Sequence, residues 1–357
     1  MRTVPIRTSR SYDVLIGSGL LKEAGRLLLT VQKKCTAVLV ADSNVDRLYG
    51  DTVAASLTEA GYAVERFSFP AGEGSKNIAT LSALLEFMGE KRITRTDCIA
   101  ALGGGVTGDL AGFAAAVYLR GIRYVQLPTT LLSAVDSSVG GKTAIDLISG
   151  KNLAGAFYQP SLVICDTNAL STLPEEVFRD GLAECVKYGI IWDAELFQRL
   201  KEPLNNETLE EIIARCVAIK GEVVREDEFE MGLRRLLNFG HTAGHAVEKC
   251  SGFMIPHGHA VAIGMAVIAR AAYRRGLCPM ECLDEIVSML EHQKLPTRSP
   301  YPADALCEAA LADKKRRGES IALIVPREIG RCEVLEVPVS ELLSFFNHGM
   351  EDHACRQ

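Results

Sequence analysis

Hydrophobic and polar positions in the first half of the chain alternate between short apolar runs and amphipathic stretches. The apolar runs predict strands over residues 12–16, 37–41, 63–67, 98–102, 123–127 and 162–165. Candidate helices lie between several of them, over 45–60, 78–91 and 106–117. Such alternation argues for an α/β fold whose sheet is mostly parallel, with helices on both faces. From Pro174 onward the period changes. "PEEVFRDGLAECVKYGII", "LEEIIARCVAIKGEVV", "GHTAGHAVEKC", "HAVAIGMAVIARAAYRRG" and "LDEIVSMLEH" all carry the helical spacing. Near the end "SIALIVP" and "RCEVLEV" read as a hairpin with Gly330 at its turn. Two domains are therefore expected: an α/β domain over 1–172 and a mainly α-helical one over 173–357, with a ligand in the cleft between them.

The balance of charge excludes some functions. With 357 residues, 24% charged, and a net charge of −6, the chain has no general polyanion-binding surface, so no nucleic-acid partner is expected. Its most apolar segment, "AVAIGMAVIARAA", is too short to span a bilayer and is interrupted by Arg270. Eleven cysteines are scattered without a CxxC pair, mostly inside apolar runs. They read as buried, reduced thiols, and Cys278 and Cys282 as helix packing. The N-terminus lacks the apolar run of a signal peptide. A soluble cytoplasmic protein is expected.

Two glycine-rich stretches invite comparison with phosphate-binding loops. "VDSSVGGKTAID" ends like a nucleotide-triphosphate loop, but the position of its first glycine is Asp136, and a carboxylate there would repel the phosphates. Lys142 nevertheless sits among glycines, next to Asp136, Ser137 and Ser138, in what reads as a polar, anion-binding site. "IAALGGGVTGDLAGF" is more telling. Gly103, Gly105 and Gly108 follow a strand and open a helix, the setting in which backbone amides accept a pyrophosphate. The acid suited to a ribose, Asp42, comes at the end of an earlier strand, contrary to the usual order.

Four of the seven histidines fall in "FGHTAGHAVE" and "IPHGHAVAIG". His241 and His245 share a helix face, and a cluster of this kind suits a metal or proton-transfer site. A catalytic zinc takes three protein ligands, and two histidines with a carboxylate would serve. Glu184 is a candidate carboxylate, i,i+3 from Lys187 in an apolar setting. Arg120, Lys142, Lys151, Lys187, Lys220 and Arg234 each lie beside glycine or apolar residues. Gathered in one cleft they would bind a substrate with two anionic groups.

Together "PAGEGSK", "GGGVTGDLAGF", "QLPTTLLSAVDSSVGGKTAID", "GKNLAGAFYQP", "LAECVKYG", "GLRRLLNFGHTAGHAVE" and "HGHAVAIGM" resemble the 3-dehydroquinate synthase family, in order from about Asp42 to Lys315. The resemblance implies an N-terminal Rossmann-like NAD-binding domain, a helical metal- and substrate-binding domain, and a homodimer. It implies a lyase that uses NAD and Zn2+ or Co2+ to convert 3-deoxy-D-arabino-heptulosonate 7-phosphate into 3-dehydroquinate and phosphate. By the same resemblance the metal ligands are Glu184, His241 and His257. NAD would be held by Asp42, Glu73, Lys76, Gly104, Gly105, Val106, Asp109, Thr129, Thr130 and Lys151, and around Thr172. The substrate would meet Asp136, Lys142, Asn152, Lys187, Lys220, Arg234, Asn238 and His245. Arg120 would reach it from the partner subunit, and Lys314 or Lys315 of "DKK" would close over it. Glu230 and His245 match the family's proton-handling positions.

Two positions depart from the family pattern: His259 stands where Glu is common, and Ala243 where Phe is frequent. The nearest alternatives are another sugar phosphate cyclase, of the 2-deoxy-scyllo-inosose synthase type, and a metal-dependent polyol dehydrogenase. The dehydrogenase would release NADH and would not need so many cations. A nucleotide-binding or metal-storage module explains the glycines or the histidines, but not both together with the lysines.

Overall fold

A computed structural model describes residues 1–312 and 319–350. The chain forms two compact units: Met1–Pro174 with Asn205–Phe229, and Glu175–Leu204 with Glu230–Gln357.

Nine strands belong to the first unit: β1 (Arg2–Ile6), β2 (Tyr12–Gly17), β3 (Thr36–Asp42), β4 (Ala63–Phe69), β5 (Cys98–Gly103), β6 (Arg123–Pro128), β7 (Lys142–Leu147), β8 (Gly150–Phe157) and β9 (Val163–Asp166). Seven of them make one sheet in the order β1-β2-β9-β6-β5-β3-β4. It is parallel except where β1 pairs with β2. Strand β5 is buried at every position, as a central parallel strand must be when helices cover both faces. One face packs Leu39, Leu57, Leu102 and Leu127 together, the other Val40, Leu84, Ile99 and Leu110. All six strands expected from the apolar runs form. Strand β1 escapes that pattern because it is short, mostly exposed and contains Pro5, which an edge strand tolerates. The β7–β8 hairpin also escapes it, since most of its residues lie partly or fully exposed.

The helix Asn206–Glu226 groups with the first unit, where it packs on β1 and β2. Its apolar stripe, including Ile212, Cys216, Ile219 and Val223, covers those strands' flank, and Gly221 admits Ile6. Sequence periodicity reports that a helix has an apolar face but not which sheet covers it.

The second unit is mainly helical. Its elements include Glu175–Ile191, His241–Cys250, His257–Arg274, Met280–His292 and Val339–Met350, with the expected hairpin formed by β10 (Ser320–Glu328) and β11 (Arg331–Pro338). Gly330 takes φ 89° at the turn. Among the described residues no helix is long and apolar enough to cross a membrane.

The helices His241–Cys250 and His257–Arg274 meet backbone to backbone through glycine. A Cβ at Gly264 would lie 1.9 Å from the Gly240 carbonyl oxygen, and one at Gly244 3.0 Å from that of Ala260. This close approach brings the rings of His241 and His257 to 5.3 Å between centroids. Gly264→Ala should therefore lose at least about 2 kcal/mol of stability, because backbone rather than a mobile side chain must yield. Urea unfolding measures the loss.

Candidate active site

In the first unit the sheet reverses its direction of growth between β3 and β5. Strand β4 lies on one side of β3 and β5 on the other, which makes a topological switch point, the crevice where open α/β sheets bind ligands. Asp42 ends β3 one residue beyond the Ala41–Leu102 pair, so it faces the glycine turn that ends β5. Adjacency in the sheet thus replaces the usual chain order of glycines before acid. Asp42 Oδ1 caps the next helix by accepting from Asn44 N at 2.9 Å and Val45 N at 3.1 Å.

The helix Gly105–Val117 begins without a side-chain cap, since its N-cap residue is Gly104. A Cβ on Gly103 would stand 2.3 Å from Thr107 Oγ1, and one on Gly108 2.6 Å from Gln126 Oε1. Thr129 Oγ1 is buried at the end of β6 with no hydrogen-bond partner among the described residues. An uncapped helix start with a waiting hydroxyl fits a pyrophosphate-bearing cofactor. Thr130, by contrast, bonds with Ser133.

Lys76 is buried at 5% exposure and bridges Asp109 to the hairpin, donating to Asn152 Oδ1 at 2.6 Å. Burial opposes its charge, but Asp109, joined by Glu73 and Asp146, outweighs burial and holds its pKa above the usual lysine value. Lys151 lies 3.6 Å from Glu73, and Thr172 bonds to Tyr49. Val106 stands half-buried in the first turn of the uncapped helix.

Gly141 and Lys142 do not open a helix. Lys142 begins β7, exposed, after two left-handed glycines, Gly140 and Gly141. Asp136 binds Lys220, whose ammonium donates to the Asp136 carboxylate at 2.9 Å and to its carbonyl at 2.7 Å. Three residues with expected site roles have left-handed backbones: Arg120 at φ 66°, Asn152 at 55° and Glu230 at 62°. Such conformations are strained for side-chain-bearing residues and concentrate at functional sites.

In the second unit the helix Glu175–Ile191 carries Glu184 and Lys187 into the core, each side chain 1% exposed, as an ion pair. Glu184 Oε1 lies 3.5 Å from His241 Nε2 and 3.5 Å from His257 Nε2. Donor atoms about 2.1 Å from a tetrahedral zinc lie about 3.4 Å apart, so this triangle already has the size of a metal site. Burial keeps His241 well below the ordinary histidine pKa, leaving a neutral ring with a lone pair to offer. Burial also works against a charged His257, but Glu184 and Glu248 outweigh it and raise its pKa to about 10. The two carboxylates thus favour positive charge at this spot, which a divalent cation would supply.

His245 stands beside the triangle, its ring centroid 5.4 Å from that of His241 and 5.9 Å from that of His257. Asn238 donates to Glu230 at 2.8 Å, and Arg234 is buried nearby in sequence at 1% exposure. Lys314 and Lys315 lie outside the described residues.

The model for the 3-dehydroquinate synthase N-terminal region matches residues 66–180, and that for the C-terminal region matches 181–316. The chain belongs to the 3-dehydroquinate synthase family. A 3-dehydroquinate synthase of Enterococcus faecalis (strain ATCC 47077 / OG1RF) is 43% identical over 351 residues, covering 97% of this chain and 98% of the relative. Among solved structures, a 2-deoxy-scyllo-inosose synthase complexed with carbaglucose-6-phosphate, NAD+ and Co2+ is 27% identical with a TM-score of 0.88 over 97% of this chain and 99% of that one. A 2-epi-5-epi-valiolone synthase from Streptomyces hygroscopicus subsp. jinggangensis 5008, with NAD+ and Zn2+ bound, is 29% identical with a TM-score of 0.86 over 98% and 99%.

Sequence reasoning about this family member missed two acids. Glu248, 4% exposed, has Oε2 3.4 Å from His257 Nδ1. Its position, i+7 from His241 and i+3 from His245 on one helix face, was a usable signal. Asp180 Oδ1 accepts from the His259 backbone N at 3.0 Å and lies 3.2 Å from its Nδ1. It therefore caps the helix that carries His257, and His259 lies outside the candidate ligand groups. Only tertiary packing brings Asp180 to that helix. The Glu184–Lys187 pair makes a stability prediction. Lys187→Met should cost about 3 kcal/mol in metal-free protein by removing the ammonium paired with a buried carboxylate. The double variant Glu184→Gln/Lys187→Met should lose less, and a denaturant double-mutant cycle measures both.

Proposed function

We propose that this chain converts 3-deoxy-D-arabino-heptulosonate 7-phosphate into 3-dehydroquinate and phosphate, using NAD and a divalent metal, Zn2+ or Co2+. Membership of the 3-dehydroquinate synthase family supports the reaction. The observation that carries the metal-dependent part is the Glu184–His241–His257 triangle, two neutral-capable nitrogens and one carboxylate oxygen at 3.5 Å. NAD held at the β3–β5 crevice would supply a reversible hydride acceptor, and a metal held by Glu184, His241 and His257 would supply a Lewis acid for the reacting hydroxyl.

The chain's own residues supply position and charge. On this reading Asp42 holds ribose hydroxyls, and the helix start at Gly104 to Val106 faces the pyrophosphate with Thr129. Lys76 fixes Asp109 and Asn152 around the same crevice. Lys142, Lys187, Lys220 and Arg234 offer cations to the substrate's carboxylate and phosphate, with the bidentate guanidinium suited to either. Asp136 holds the Lys220 ammonium in place. His245 and Glu230 handle protons, and the Asn238 amide orients the Glu230 carboxylate. Because NAD is regenerated each turn, orientation and electrostatics are the main share of the protein's work.

The same reading makes the protein a cytoplasmic homodimer. Ten described cysteines are free thiols, which suits a reducing compartment. Arg120, exposed on a strained left-handed turn, is the residue offered to the partner's substrate.

The test supplies the heptulosonate phosphate and metal with NAD far below substrate. Phosphate release should exceed NAD many-fold with no lasting NADH absorbance. NADH accumulating without phosphate would identify a dehydrogenase instead, and turnover of glucose 6-phosphate but not the heptulosonate would identify a different cyclase. Lys142→Ala and His241→Ala should each fold and lose at least about 100-fold in kcat/KM.

A further inference from the structure

His257 belongs to two candidate metal groups. One is Glu184, His241 and His257, and the other is His245, Glu248 and His257. A neutral imidazole has one N–H and one lone pair, so it can serve only one of these with a given tautomer. What selects the tautomer therefore selects the site.

His241 shows the first half of the answer. Its Nδ1 lies 3.0 Å from the Phe239 carbonyl oxygen. A carbonyl can only accept, so Nδ1 carries the hydrogen and the lone pair sits on Nε2, the atom 3.5 Å from Glu184 Oε1. His257 repeats the arrangement with a carboxylate in place of the carbonyl. Its Nδ1 lies 3.4 Å from Glu248 Oε2, and its Nε2 lies 3.5 Å from the same Glu184 oxygen. Both rings thus turn Nε2 toward one carboxylate atom. The competing group is looser, with His245 Nε2 4.0 Å from Glu248 Oε2. Occupying it through Nδ1, the His257 nitrogen 3.4 Å from Glu248, would require the lone pair there and would consume Glu248 as a ligand.

We propose that Glu248 is a positioning residue that accepts the His257 Nδ1–H, aims Nε2 at the Glu184–His241 pair, and so places a single metal there while leaving His245 outside the coordination sphere. The proposal rests on the metal-dependent reading above and adds a residue which that reading does not use. A buried acceptor on a ligand's far nitrogen fixes ring orientation and raises ligand basicity, and its loss typically costs about 10–100-fold in metal affinity.

The experiment uses the full chain stripped of metal. Zn2+ affinity is measured by chelator competition, and the visible absorption of the Co2+ form is recorded for each variant. Glu248→Ala should weaken Zn2+ binding by about 10–100-fold. Glu248→Gln, near-isosteric and still an acceptor, should restore part of the loss with an altered Co2+ spectrum, a change that a purely structural role would not produce. Thermal unfolding of metal-free Glu248→Gln controls for folding. Wild-type affinity and spectrum in both Glu248 variants would overturn the proposal, as would two Zn2+ ions per wild-type chain. So would His245→Ala weakening Zn2+ binding as much as His241→Ala. If His241→Ala binds Zn2+ like wild type, the metal-site reading itself fails, whatever Glu248 does.

Discussion

Glu184 is a charge that the fold has placed where water does not reach. An unpaired carboxylate in that position would cost several kcal/mol, so the surrounding structure is constrained to bring positive charge to it. Lys187 does so from one turn along the same helix and His257 from a second helix, while a third helix sets the neutral His241 ring against the same carboxylate. Those helices can deliver their rings only because Gly240, Gly244 and Gly264 let their backbones touch. Asp180 then fixes the start of the second helix from the same element that carries Glu184. One buried carboxylate thus ties together three helices, their crossing and their caps.

A parallel logic operates in the first unit, where geometry is set by the sheet instead of by a charge. The switch between β3 and β5 puts an acid and a glycine turn at neighbouring strand ends. The polar groups around it are already partnered in pairs: Lys76 with Asp109 and Asn152, Lys220 with Asp136, Lys151 with Glu73. Side chains tied in this way lose little further freedom when a ligand arrives, which is the physical content of a preorganised site.

Much of this was legible in the chain. Strands β2, β3, β5, β6 and β9 announced themselves because burial makes nearly continuous apolar runs, whereas β4 at the sheet edge is mostly half-buried or exposed; the long helices were legible because one face of each is buried. The histidine cluster and the Glu184–Lys187 spacing were legible because helical neighbours at i+3 and i+4 are fixed by local geometry. Where the reading fell short, tertiary contact decided the outcome. Strand β1 and the β7–β8 hairpin bury too little to mark a pattern, and the helix Asn206–Glu226 shows an apolar stripe without naming its partner. Asp180 reaches His259 across a long stretch of chain, and no local spacing encodes that. Glu248 was different, since its spacing from His241 and His245 was in plain view, but acids on helices are so common that the spacing alone carries little weight.

The left-handed backbones of Arg120, Asn152 and Glu230 have a consequence for how this protein tolerates change. Glycine would relax the main chain by about 1 kcal/mol at Arg120 and Glu230, and by less at Asn152, since asparagine tolerates this conformation; at each it would delete a side chain that the proposed function assigns to the substrate or its protons. Substitution toward stability and substitution toward activity therefore pull in opposite directions at the same three codons. A library screened only for heat resistance would drift toward glycine there and return robust, inert protein. A library screened for turnover would keep the strain.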